Sequence, residues 1–265
     1  MATLFRNAVA MCAPQFYKVA YKINPWMGGT VDTQLAHAQW NNLKEAIEKC
    51  GVSVKRMQQD SSVPDMVFCC NSGLVYRNKV YLAHFRHPER QPERKFYESW
   101  FREQGFEIVG DTQYFFEGGG DATFTNPNTL FAGYGFRTQK EVYDKIQEHM
   151  SDVNVVLCEL VHDRYYHLDT CFCYLGDNLG LWNPNAFSPE TRVRMQHELE
   201  LIEVTDRDAE RFVCNSIAFG KTVLVPTGCE DIKPVLEKRG YQVVYVDLSE
   251  FLKGGGAAQC LVLKL

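Results

Sequence analysis

Seven stretches of the 265-residue chain carry side chains that could do chemistry together. Cys260 lies in FLKGGGAAQCLVLKL, after three glycines and two alanines. Small residues let a backbone pass close to a ligand, so a thiol there could meet a substrate head-on. The same residue also reads as an inert thiol in a buried C-terminal strand. His167 and Asp169 lie in RYYHLDTCFC, at i and i+2 of a strand-like run, which predicts that they share one face. A carboxylate beside an imidazole orients the ring or joins it in holding a cation; a satisfied core histidine fits the apolar surroundings as well. Glu117 and Asp121 flank the triple glycine 118–120 in FFEGGGDATF. Ionised carboxylates only accept hydrogen bonds, so this pair suits a planar cation rich in N–H groups, or is simply two loop acids. Arg137 in AGYGFRTQ and Arg86 in HFRHPER could each clamp a carboxylate with two parallel N–H bonds, or pair with acids on the surface. Asn24 in INPWM and Asn71 in FCCNSG are polar residues in apolar runs, readable as ligand contacts or as turn residues. A thiol nucleophile, an imidazole acid/base, acceptors for a cation and arginines for a carboxylate form the set needed for hydrolytic attack on the guanidinium of an amino acid.

These residues must be positioned by a recurring pattern: a polar helix, often a glycine, then a short β-branched strand. Helices are expected at about 32–50, with Leu35, Trp40, Leu43 and Ile47 near one face, and at about 92–104, with Phe96, Trp100 and Phe101 apolar. Thr138 with Glu141 has capping-box spacing for a third, and Ser188-Pro189 opens a fourth. A short helix at 206–214 precedes TVLVPTG, and the last runs about 230–239. Extra strands precede most helices (AVAMCAP, LVYRNKVYLA, TLFAGYG, CFCYLG, TVLVPTG), so the unit is strand, strand, helix, strand, about five times over. Such a unit cannot bury both faces of its sheet alone, and neighbours must pack around a shared centre. One domain over 1–265 with internal pseudo-symmetry follows; periodicity alone leaves a doubly wound sheet as a competitor.

Composition narrows the function. With 28 basic and 33 acidic residues the net charge is -5, which gives no electrostatic reason to bind nucleic acid or an anionic membrane. No apolar run approaches the roughly 18 residues of a membrane span, and the N-terminus lacks the pattern of a signal peptide. Ten cysteines occur with no CxxC and no zinc-type Cys/His spacing, which suggests a reducing, cytoplasmic setting without disulfides. No phosphate loop is present, since the triple glycine is neither GxGxxG nor GxxxxGK[ST]. The expectation is an enzyme on a small-molecule substrate, with no metal and no cofactor; homo-oligomerisation stays open.

In order along the chain, INPWM (23–27), PDMVF with CCNSGLV (64–75), FEGGGDA (116–122), GYGFRT (133–138), YHLDTCFC (166–173) and LKGGGAAQC (252–260) resemble the guanidino-group-modifying superfamily. That superfamily contains arginine deiminases, dimethylargininases, glycine amidinotransferases and arginine dihydrolases. The resemblance spans essentially the whole length and is strongest to the dihydrolase domain of cyanobacterial bifunctional enzymes, then to bacterial dimethylargininase-like proteins. It implies a five-bladed α/β propeller (pentein) of ββαβ units around a central site. By motif, it implies Cys260 as nucleophile, His167 as general acid/base, and Asp169, Glu117 and Asp121 as the acids around the guanidinium. It further implies Arg137, with Arg86 as a weaker second match, at the substrate carboxylate, and Asp65 as the acid of the PD pair. One departure bears on substrate. Mammalian-type dimethylargininases carry a Glu-Asp pair where Cys70 and Asn71 stand here, and asparagine is the dihydrolase-type residue. The expected activity is therefore hydrolysis of L-arginine to citrulline or ornithine plus ammonia, with dimethylargininase and amidinotransferase as alternatives.

Overall fold

The repeating unit of the sequence is the repeating unit of the structure. The computed structural model describes residues 7–265. β1 (Ala8–Cys12), α1 (Thr33–Lys49) and β2 (Ser53–Met57) come first. β3 (Gly73–Tyr76), β4 (Lys79–Leu82), α2 (Glu93–Glu103) and β5 (Glu107–Val109) follow, then β6 (Ala122–Asn126), β7 (Thr129–Tyr134), α3 (Val142–His149) and β8 (Asn154–Glu159). The fourth unit is β9 (Phe172–Gly176), β10 (Leu179–Trp182), α4 (Pro189–Glu198) and β11 (Glu200–Glu203). A short α5 (Asp206–Ala209) leads into β12 (Ile217–Phe219), β13 (Thr222–Pro226), α6 (Ile232–Glu237) and β14 (Gln242–Val246). α7 (Ser249–Leu252) and β15 (Leu263–Lys264) complete the order.

The strands form five separate three-stranded sheets. In each of units two to five, the first two strands make an antiparallel hairpin and the third returns through the helix to lie parallel to the second. A parallel return needs a crossover, and the helix supplies it. The first sheet is completed from the other end of the chain: β15 runs antiparallel to β1, which pairs parallel with β2. The doubly wound alternative is thereby excluded, and the five-bladed α/β propeller is the fold.

Helix faces show how the units pack. On α1 the buried apolar set is Ala36, Trp40, Leu43 and Ile47, which joins Ile217, Leu224 and Val246 of the fifth sheet in one apolar cluster. The expected Leu35 is instead exposed; Ala36 completes the 4-3-4 spacing that keeps a helix stripe aligned. On α2, Tyr97 is buried with Trp100 and Phe101, and Phe96 is only partly so. Ser188 caps α4 as expected, accepting from Thr191 N. Thr138 does not cap α3, which starts at Val142; its hydroxyl is drawn instead to two buried groups of the third unit, described below.

A tight turn precedes every inner strand. Residues 69–72, 118–120, 168–170 and 213–215 form 3-10 turns before β3, β6, β9 and β12. The chain turns again at 257–262 before β15, with Leu261 N donating to Ala257 O and Val262 N to Gln259 O. Successive turns pack on one another. Two backbone bonds close the circle: Gln259 N donates to Asn215 O at 2.9 Å, and Cys70 N donates to Cys260 O at 3.1 Å. The centre of the fold is therefore a ring of five turns, one from each unit.

The ring depends on β15. Leu263 and Leu265 are buried, and Leu265 N donates to Ala8 O at 3.0 Å. Deleting residues 263–265 removes two apolar side chains worth about 2 kcal/mol each. Thermal unfolding followed by circular dichroism should show the midpoint lowered by on the order of 10 °C. An unchanged midpoint would mean that β15 does not close the first sheet.

Candidate active site

The chemistry-bearing residues meet on this ring. Cys260 lies within the turn before β15 and is buried. Its thiol donates to Asp169 Oδ2 at 3.1 Å and accepts from Asn215 Nδ2 at 3.1 Å. Asp169 lies in the 168–170 turn, and His167, in extended conformation, immediately precedes that turn. The two do not share a strand face as the i, i+2 spacing predicted. Thr170 Oγ1 donates to the His167 carbonyl at 2.6 Å, closing a turn that delays β9 until Phe172. The imidazole is sent to Glu117 and the carboxylate to Cys260.

Glu117 gathers its neighbours. Its Oε2 accepts from Arg137 Nη1 at 2.8 Å and meets His167 Nε2 at 2.8 Å. Its Oε1 accepts the backbone N–H of Arg86 at 3.2 Å. Asp121 is held separately: Oδ2 accepts from Thr138 Oγ1 at 2.7 Å and Oδ1 from Leu168 N at 3.0 Å. Thr138 also accepts from Glu117 N, so one hydroxyl fixes both flanks of the triple glycine. That turn admits only glycine. A Cβ on Gly120 would lie 2.2 Å from Asn71 Nδ2, and Gly118, at φ 57°, would place one 2.6 Å from Asn71 O.

A cleft of about 270 Å³ opens onto one side of the ring. Asn24, Asp65, Asn71, Arg90, Arg137, His167 and Cys260 line it, together with Phe68, Tyr166 and Gly254–Gly256. Glu117, Asp121 and Asp169 stand behind that lining and hold it. Asn24 accepts from Trp26 N and Met27 N through Oδ1 and donates to Gly254 O, which pins the INPWM loop to the second triple glycine. Asn71 donates to Glu117 O and accepts from Arg90 Nη1. A larger cavity of about 610 Å³ lies elsewhere among the inner strands, lined by Leu74, Phe124, Phe172 and Leu263; neither Cys260 nor His167 faces it.

Sequence reasoning selected Arg86 but not Arg90. Arg86 is exposed, with its guanidinium over the Phe115 ring, and only its backbone reaches the site. Arg90 is buried in the cleft wall and bonds bidentately to buried Glu93, at 2.8 and 2.9 Å. The Arg-x-x-Glu spacing was visible, but the same spacing is common on exposed helices. Asn215 in FVCNSIAF was also missed, although it is an asparagine in an apolar run just as Asn71 is. Tyr166 was likewise missed; it donates to Gly255 O at 2.6 Å, with the Arg137 guanidinium 4.7 Å above its ring.

Burial sets the electrostatics. It opposes the charge on Glu117, but Arg137 and His167 overcome it and hold that carboxylate well below its usual range. Asp121 has fewer charged donors, and burial pushes it up to about 6. Burial carries Asp169 to about 7, against its hydrogen bonds with Cys260 and Asn215. Burial likewise raises the Cys260 thiol well above its ordinary value, with Asp169 and Cys70 adding to the effect. Asp169 Oδ1 and His167 Nδ1 are buried and have no hydrogen-bond partner among the described residues, which leaves both able to meet a ligand.

A thiol, an imidazole, buried carboxylates and arginines on the axis of a five-bladed α/β propeller define the class of guanidino-group-modifying enzymes, hydrolases of amidine carbon–nitrogen bonds among them. The chain belongs to the dimethylargininase family, matching over residues 27–265 the family described as "N,N dimethylarginine dimethylhydrolase, eukaryotic". It is 47% identical to the uncharacterised protein ZK1307.1 of Caenorhabditis elegans, over 97% of this chain and 93% of that one. It is 38% identical to the N(G),N(G)-dimethylarginine dimethylaminohydrolase of Mycobacterium tuberculosis, over 97% and 85%. It is also 38% identical to the bifunctional arginine dihydrolase/ornithine cyclodeaminase ArgZ of Synechocystis, over 97% of this chain but 37% of ArgZ. The crystal structure of the ArgZ N-terminal domain bound to product superposes with a TM-score of 0.94, covering 97% of this chain and 96% of that domain. That domain is also known as an asparagine-to-serine variant covalently bound to a reaction intermediate, and as a cysteine-to-serine variant bound to substrate.

The raised Asp169 makes a stability prediction. The folded protein keeps a proton on this carboxyl up to about pH 7, which the unfolded chain gives up near its ordinary value, so this group's contribution to stability falls as pH rises through that window. Asp169→Asn removes the cost of burying the charge. Thermal melts should show the variant stabilised by roughly 4 kcal/mol at pH 8 and little changed at pH 4. Equal gains at both pH values would contradict a raised Asp169.

Proposed function

We propose that the protein hydrolyses the guanidinium group of L-arginine, by deiminase or dihydrolase chemistry, to citrulline or ornithine plus ammonia. The observation that carries this reading is the Cys260 thiol held 3.1 Å from a buried carboxylate in a cleft whose other walls carry Arg90 and Arg137.

In this reading Asp169 Oδ1 accepts from the guanidinium, and Arg137 with Arg90 faces the substrate carboxylate. The arriving cation favours the thiolate and lowers the effective pKa of Cys260. The sulfur adds to the guanidinium carbon, which the walls hold at attack distance. His167, oriented through Nε2 by Glu117, has Nδ1 free to protonate the leaving amine. The carbon–nitrogen bond breaks to leave an S-alkylthiouronium, and water then adds at the same carbon, giving its proton to His167. Collapse returns the thiolate and the ureido product. A second round of hydrolysis on that product would release a second ammonia and the former guanidinium carbon as carbon dioxide, leaving ornithine. Asn71 in the cleft wall, in place of a carboxylate, supports arginine as substrate, and so does the likeness to ArgZ. A second reading, dimethylargininase, is supported by the family description and by the mycobacterial relative.

Product identification tests the proposal. Pure protein is incubated separately with L-arginine and with asymmetric dimethylarginine, and the products are resolved by mass spectrometry. Ornithine or citrulline plus ammonia from arginine is the expected outcome; dimethylamine from the methylated substrate alone would replace it with the second reading. Cys260→Ser should abolish turnover, and His167→Ala should lower it by about 100- to 10,000-fold. Near wild-type turnover by Cys260→Ser would rule out the covalent route.

A further inference from the structure

We infer that Asn215 is a further catalytic residue of this site, whose amide stabilises the Cys260 sulfur as the carbon–sulfur bond breaks. The inference rests on the reading of the protein as a cysteine-dependent guanidine hydrolase. Asn215 is fully buried at the end of the 213–215 turn, in the one unit of the propeller that carries none of the residues selected from the sequence.

Every hydrogen-bonding position of its side chain is used. Nδ2 donates to Cys260 Sγ at 3.1 Å and to Asp169 O at 3.0 Å. Oδ1 accepts from Ala257 N at 2.9 Å and Cys260 N at 3.1 Å. An amide has two N–H donors and one carbonyl with two lone pairs, so all four are engaged. The orientation is forced: exchanging O and N would set the NH₂ against two backbone N–H groups. Among the described residues, Asn215 is the sole N–H donor to the nucleophile. The turn that aims it starts at Phe212, a bulky residue held at φ 63°, a backbone region such residues rarely adopt. The Phe212 ring is packed at 4.6 Å against Trp26, in the loop that carries Asn24.

The chemistry calls for this donor at a particular step. After water adds to the thiouronium carbon and gives its proton to His167, the tetrahedral adduct collapses. The carbon–oxygen double bond forms, the carbon–sulfur electron pair passes to Sγ, and the ureido product leaves, giving its remaining hydroxyl proton to solvent water. The sulfur becomes a thiolate in a buried place beside Asp169, where burial and that carboxyl both disfavour charge. A hydrogen bond to a charged acceptor is stronger than one to a neutral acceptor, so Asn215 favours the leaving thiolate over the adduct.

The test combines two readouts on purified full-length variants. Acid-quenched intact-mass spectrometry during turnover of L-arginine and of asymmetric dimethylarginine reports the adduct on Cys260. The pH dependence of Cys260 alkylation by iodoacetamide, without substrate, reports the thiol. Asn215→Asp keeps an acceptor for the two backbone N–H groups but loses the donor; Asn215→Ala loses both and adds no charge. Both are expected to accumulate adduct, to shift the alkylation midpoint to higher pH, and to lose at least about tenfold in kcat. An Asn215→Asp enzyme, folded by near-UV circular dichroism, with wild-type adduct level and midpoint overturns the inference, even where Asn215→Ala does not fold. So does a shift in Asn215→Asp that is absent from a folded Asn215→Ala, since added charge alone would explain it. Cys260→Ser, run alongside, separates the two readings. If it is dead while the Asn215 variants behave as wild type, the role of Asn215 is rejected and the hydrolase stands. If it retains turnover, the covalent reaction itself is rejected.

Discussion

The arrangement around the cleft depends on one buried carboxylate. Glu117 has no solvent to hold its charge, and an ionised carboxylate in that setting must be met by donors. Arg137 and His167 meet it at 2.8 Å, and the backbone of Arg86 supplies a third contact. Each comes from a different stretch of chain, and Asn71 of the second unit donates to the Glu117 carbonyl. The same contact that satisfies Glu117 turns the His167 ring, leaves its Nδ1 free, and holds the Arg137 guanidinium in the cleft wall. Removing the carboxylate would leave an arginine and an imidazole buried without their acceptor, so its loss would cost the geometry before it cost any chemistry.

Close approach of backbones is the second constraint. Five turns must converge on one axis, and the two triple glycines sit where there is no room for side chains. At 118–120 the crowding comes from Asn71 and Cys70; at 254–256 it comes from Tyr17, Asn24, Phe68 and the Cβ of Cys260. Neither run binds phosphate or serves as a linker. Each brings one unit within hydrogen-bond distance of the next, which lets an asparagine on one turn support a thiol or carboxylate on another. Site precision here comes from the ring and not from long loops.

Much of this was legible in the sequence, and the failures have physical causes. The ββαβ repeat was readable because the middle strands are buried on both faces and the helices keep a 3.6-residue stripe, while glycine marks the ends of α1, α2 and α6. Cys260, His167, Glu117, Asp121, Asp169 and Arg137 stood out because polar residues beside glycine clusters or inside apolar runs are costly without a purpose. What was not legible was pairing across units. Thr138 read as a helix cap because Glu141 is at the right offset, yet two buried groups 21 and 17 residues away competed for its hydroxyl. Arg86 and Arg90 differ only in which one is turned inward, and a partner such as Glu93 three residues on looks the same on a surface. Asp169 read as strand-borne because a buried 3-10 turn and a buried strand share the same apolar composition.

The charges around the cleft do not balance, and the imbalance has a direction. Arg90 is matched by Glu93 and Arg137 by Glu117. Asp65, Asp121 and Asp169 are left over, together with a thiol, and burial raises all four. Burial raises Asp121 to about 6 and Asp169 to about 7, so both keep their protons to higher pH than they would in water. A cation placed among them favours their ionised forms, so binding a cation and releasing protons are one coupled event. A neutral ligand of the same shape would gain none of that coupling. On the proposed reading the guanidinium both fills the cleft and ionises the thiol that attacks it, so the nucleophile becomes reactive only where its substrate is already in place.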